Sequence, residues 1–220
     1  GFYTIDGSDP RQTTTTGAES KLLTAGSTAH VLVPTNNNLI NECDELLLDT
    51  PERCFMSPSY ELGTLGESWT TGRMGIGYDE NTNYRPFIRT DVEDEMNNGN
   101  TSVYIRIPFN VTEEQAEANS VRLKMRYDDG FVAYLWQSSL KTPVEVARAN
   151  APGTARKFPI NPLDYNEQAT GTHDDNAAVV FSDFDISSSA AYIREGENYL
   201  IIQGLNRGSS SSDFLIDAEI

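Results

Sequence analysis

The chain has 220 residues, a formal charge of −17 at neutral pH and a sequence pI near 4.3. So acidic a protein is ill suited to nucleic acid, whose phosphates need Lys and Arg, and to anionic membrane surfaces. No apolar run reaches the length of a membrane span, so membrane insertion is not expected, and the length suits one large β domain or two small ones.

Phe2-Tyr3-Thr4-Ile5 is a β-prone run, and Asp6-Gly7-Ser8-Asp9-Pro10 follows it with turn residues. A lone strand can neither bury its apolar face nor pair its backbone, so the opening predicts a piece of a longer chain, cut within a linker or small module. Residues 1–29 read as that remnant and a Thr- and Ser-rich linker, and residues 30–220 as the folded domain, with a first strand near 30–33. Residues 41–100 read as irregular, with many Gly and one helical turn at DVEDEMNN.

From residue 101 the pattern sharpens. SVYIRIPFNV places Val103, Ile105, Ile107, Phe109 and Val111 on one face, the period of a half-buried strand. VRLKMRY, FVAYLWQ, VEVARAN, AAVVFSDFDI, NYLIIQGLN and DFLIDAEI follow as further strands, while TEEQAEAN and SSAAYIREG read as short helices. Many short strands with turn residues between them predict an all-β antiparallel sandwich.

Cys43 and Cys54 are the only cysteines. Only His30 and His173 are at hand to complete a zinc site, and the spacing fits none. A disulfide is the preferred reading and two free thiols the alternative; the disulfide implies an oxidising, extracellular setting. Asn100-Thr101-Ser102 and Asn110-Val111-Thr112 are glycosylation acceptors in a source that glycosylates.

FYTIDGSDP resembles the strand-turn signature of chitobiase C-terminal-type repeats, modules of secreted bacterial carbohydrate-active proteins. SWTTGRMGIGYD, TSVYIRIPFNV, VRLKMRYDDGFVAYL, EVARANAPG and NYLIIQGLNRGSSSSDFLI, in that order, resemble the galactose-binding-like jelly-roll domain of large multi-domain bacterial surface proteins that carry lamin-tail modules. The resemblance implies a jelly-roll sandwich from about residue 30 onward, secreted or at the cell surface, with other modules of the same polypeptide as neighbours. After AYL this chain carries WQSSLKTPVEVA where that family carries Asn-Gly, and its Cys-bearing segment looks like an insertion.

Acidic loops supply the candidate chemistry. Asp128-Asp129-Gly130, between two strands, gathers carboxylate oxygens of the kind hard cations prefer, and a loop-held calcium offers spare coordination to vicinal sugar hydroxyls. The pair is similar to the Asp-Asp pair of calcium-dependent flocculin lectins; the alternative is a plain Asp-Gly hairpin turn. Asp174 and Asp175, in THDDN, form a second carboxylate pair, with a solvated acidic turn as the alternative. Asp79, Asn81 and Asn83 mimic the start of an EF-hand loop, but Tyr84 replaces its glycine and Thr90 its closing Glu, which leaves only a looser site around Asp79. Asp213 joins the candidate ligands by analogy with the structural calcium of jelly-roll binding modules.

Sugar recognition uses exposed rings beside polar groups. Trp136 is the preferred platform and Asn206 the preferred polar partner, with Trp69, Tyr78, Tyr84, Tyr134 and Tyr165 as further candidates and core packing as the alternative for each ring. No nucleophile elbow, phosphate loop or Cys–His pair is present, so an enzyme is not expected. The sequence therefore predicts a non-catalytic, calcium-supported module binding a polysaccharide or cell-surface glycan, with a structural spacer or assembly module as the alternative and a glycoside or ester hydrolase behind both.

Overall fold

A computed structural model describes residues 19–44, 51–137, 139–140, 142–155 and 163–220. The chitobiase-like opening lies outside the described residues. Among the described residues eleven strands form two sheets: β1 (Thr28–Leu32), β2 (Thr70–Arg73), β3 (Ile76–Asp79), β4 (Thr90–Asp91), β5 (Ser102–Val111), β6 (Arg122–Asp128), β7 (Gly130–Gln137), β8 (Val144–Ala149), β9 (Ser182–Asp185), β10 (Gly196–Leu205) and β11 (Asp213–Glu219). The larger sheet has the order β2-β1-β5-β10-β7-β8 and the smaller β4-β3-β11-β6-β9. Every pairing is antiparallel except β3 with β4. The molecule is an all-β sandwich.

Alternation builds the core, as the sequence predicts. Val103, Ile105, Ile107 and Phe109 of β5 pack with Leu123 and Met125 of β6 and Phe214 and Ile216 of β11, all buried. β5 is not half-buried, however, because its other face is covered too. The short helix α1 (Asn38–Asp44) and the segment 54–60 lay Leu39, Ile40, Phe55 and Met56 over Tyr104, Tyr134, Trp136 and Ile201 on the outside of the larger sheet. Burying one such ring or aliphatic side chain contributes about 1.5–3 kcal/mol. The Cys43–Cys54 disulfide, with Cα atoms 4.6 Å apart, clips this cover together. Arg106 lies beneath it, donating to the Ser57 carbonyl at 2.7 Å and resting over the Tyr199 ring at 4.7 Å. The hydroxyls of Tyr60, Tyr104 and Tyr134 in the same layer are buried without a hydrogen-bond partner.

Two readings of local structure are corrected. The stretch 41–100 is less irregular than its glycines imply, since it holds β2, β3, β4 and α2 (Glu93–Met96). Residues 177–186 are not one strand: Asp174 caps a helical turn, α4 (Asp175–Ala178), and only Ser182–Asp185 pairs with β6. TEEQAEAN does form a helical turn, α3 (Glu113–Ala116), started by a Thr112–Gln115 capping box.

At the far end from the acidic loops, the Leu22 and Leu23 N–H groups donate to the Ile220 carbonyl at 2.8 and 3.2 Å.

Candidate functional site

Asp128 ends β6 in the smaller sheet, and Gly130 begins β7 in the larger. The segment is therefore a corner that carries the chain from one sheet to the other, and the hairpin alternative is excluded. The Asp128–Asp129 peptide bond is cis. Gly130 is required by close approach, because a Cβ there would stand 2.9 Å from the carbonyl oxygens of Ala149 and Asn150.

Asp129 is pinned at four points. Its N–H donates to Leu205 O at 3.1 Å and its carbonyl accepts from Asn150 Nδ2 at 2.9 Å. Its Oδ1 accepts from the His173 N–H and its Oδ2 from the Arg207 N–H, both at 2.9 Å. Each oxygen thereby accepts one main-chain N–H. His173 is fixed in turn: its Nδ1 donates to Tyr127 O at 2.7 Å and its ring stacks on Tyr127 with centroids 4.1 Å apart. These contacts draw three separate segments, residues 127–130, 172–175 and 206–213, into one corner.

The corner is an open depression of about 490 Å³, lined by Asp128, Asp129, Asp175 and Asp213 together with Arg207 and the Thr172, Ser210 and Ser211 residues. Asp128 is 3% exposed. Burial, then the charges of Asp129 and Asp213, hold its carboxyl far above the usual carboxylate range. Asp213 is raised as well, by burial and by Asp175. Among the described residues no Lys or Arg side chain forms an ion pair with any of the four. Nor do any three carboxylate, imidazole or thiolate groups among them already stand at metal-ligand spacing. The four carboxylates thus ring a depression instead of converging on a point. Two other depressions, of about 420 and 570 Å³, lie along the β1–β4 edge and beside the Leu22–Ile220 seam, and neither contains a sequence-predicted ligand.

Two predicted metal ligands, Asp79 and Asp174, lie outside the lining of this depression. Asp79 Oδ1 and Oδ2 accept from the N–H groups of Asn81 and Tyr84, both at 2.6 Å, so Asp79 spends its carboxylate on shaping the loop 79–84. Asp174 is exposed and accepts from the Asn176 N–H at 3.0 Å as a helix cap.

The predicted sugar contacts are corrected by burial. Trp136 is 2% exposed, with its indole N–H given to Leu140 O at 2.9 Å, because the cover lies directly on its face of the sheet. Asn206 is 0% exposed and acts as a staple. Its Nδ2 donates to the Tyr78 hydroxyl and Asp213 O, and its Oδ1 accepts from the Arg207 N–H. Tyr78, Tyr84 and Tyr134 are buried as well, while Trp69 and Tyr165 are partly buried against the cover. Sequence reasoning missed Thr172, Ser210 and Ser211 at the rim, and Tyr84 as a neighbour of the carboxylates. The pairing of Asp213 with Asp79 across β11 and β3 is the signal that joins these loops, and it is invisible without the register.

No family model matches the chain, and no curated protein proves similar to it.

Proposed function

We propose that this chain is a non-catalytic, extracellular binding module whose acidic corner takes up calcium and, through it, a hydroxyl-rich ligand such as a polysaccharide or surface glycan. The supporting observation is Asp128, a nearly enclosed carboxyl that faces three other carboxylates with no cationic side chain among the described residues paired to it. Such a group is costly to ionise alone and is relieved by a cation. The oxygens of Asp128, Asp129, Asp175 and Asp213, with the nearby hydroxyls, are the hard donor set that suits calcium better than a softer metal. A bound calcium would neutralise the corner and offer open coordination positions to paired hydroxyls. The disulfide favours an oxidising compartment, and no helix among the described residues is long and apolar enough to cross a membrane. A galactose-binding-like jelly-roll assignment is compatible with the two-sheet architecture.

The burial of Trp136, Tyr78 and Tyr134 favours a second reading, a structural spacer stiffened by calcium and lacking sugar affinity. Glycan arrays with and without chelator separate the two. Calcium-dependent signals on polysaccharides support the binding module. Silence on every glycan, with calcium still raising the melting temperature, supports the spacer, and no calcium effect on melting removes the cation from both.

A further inference from the structure

Tyr84 is 0% exposed, and its hydroxyl has no hydrogen-bond partner among the described residues. The residue is held firmly. Its N–H goes to Asp79 Oδ2 at 2.6 Å, and its carbonyl accepts from the N–H groups of Phe87 and Ile88 at 2.8 and 3.2 Å. The ring packs on Ala178 of α4 and Leu215 of β11. It is therefore wedged between the element that Asp175 begins and the strand that Asp213 begins. The charges that act on its hydroxyl are Asp128 first, then Asp175, Asp213 and Asp129, the four carboxylates of the corner. After burial itself, these charges raise the phenol, which stays a proton donor.

Buried polar groups in native proteins nearly always have partners. The orphan hydroxyls of Tyr60, Tyr104 and Tyr134 belong to the apolar layer under the disulfide-clipped cover. That of Tyr84 differs in place, because its ring packs on Leu215, whose cross-strand partner is Asp128, and no acceptor among the described residues lies within bonding distance of its hydroxyl. An arrangement in which the carboxylates close in would give it one. We propose that Tyr84 is a positioning residue of the acidic corner, a buried donor that gains a carboxylate or ligand oxygen only when the corner gathers around a divalent cation. It then adds to cation affinity and nothing to the stability of the metal-free fold. The inference rests on the calcium reading above.

The test is Tyr84→Phe, followed by calorimetric titration with calcium chloride and by melting in chelator. Partners that orient metal ligands are typically worth 10–100-fold in affinity, so calcium binding should weaken at least tenfold. The melting temperature in chelator should hold or rise slightly, since an unpartnered buried hydroxyl is being removed. In an Asp128→Asn background the same substitution should change calcium affinity far less, because the two groups act together. Unaltered affinity in Tyr84→Phe overturns this inference alone, as does a lower melting temperature in chelator with calcium affinity intact. A wild-type protein that takes up no calcium overturns the calcium reading and this inference together.

Discussion

Asp128→Asn should make the metal-free protein more stable, and the gain should grow with pH. The carboxyl is 3% exposed and faces Asp129, Asp175 and Asp213, with Arg207 the one Lys or Arg among the residues described around the depression. Burial and these neighbours raise its folded-state pKa far above that of an ordinary Asp. A carboxyl raised in this way favours the fold only below the ordinary Asp value near 3.9, and that contribution is lost as pH climbs toward the folded-state value. The loss amounts to about 1.4 kcal/mol per pH unit while the folded group keeps its proton. Three units above an ordinary Asp, at pH 7, it reaches about 4 kcal/mol, less whatever share Asp129 takes of the same proton. Asn has the same shape and no charge to desolvate. Urea denaturation of wild type and variant in chelator at pH 5, 6, 7 and 8 measures the difference. The two stability curves should diverge upward with pH, with the variant the more stable. Curves that stay parallel within about 0.5 kcal/mol, or a variant that is less stable at pH 8, would refute the placement of Asp128 among uncompensated carboxylates.

The partnerless hydroxyls make Tyr104→Phe and Tyr134→Phe neutral or slightly stabilising in chemical denaturation. Tyr78→Phe should cost about 1–3 kcal/mol, because its hydroxyl donates to Ser211 O and accepts from Asn206. Asp217→Asn should cost less than the about 3–5 kcal/mol of a broken buried pair: Asp217 is fully buried 3.3 Å from Arg126 and 3.5 Å from Arg89, but burial raises its carboxyl and both guanidinium groups are partly exposed and keep carbonyl partners; urea midpoints report it. Cys43→Ser should lower stability by about 3 kcal/mol through the short loop that the bridge closes, and thermal melting should match that of the reduced wild type.

The sandwich was legible because period-two alternation survives in β5, β6, β7, β10 and β11, where every second residue enters the core. Where elements are two to four residues long, as in β2, β3 and β4, no period develops, and glycines that permit close approach look like loop glycines. Trp136 and Asn206 misled for a common reason. A ring at a strand end and an Asn after a strand both look exposed in sequence, but the cover from residues 38–60 buries Trp136, while Asn206 is enclosed between Tyr78 and the Asp213 carbonyl. Asp128, Asp129, Asp175 and Asp213 do meet around one depression, but only tertiary structure separates them from Asp79 and Asp174, which do not line it.

The seam between Leu22–Leu23 and Ile220 bears on how force would travel through the molecule. A pull applied between residues 22 and 220 would load those few hydrogen bonds first. β11 runs from that seam to Asp213, roughly 20 Å at the rise of a strand, so the carboxylates lie well away from the bonds such a pull would break first.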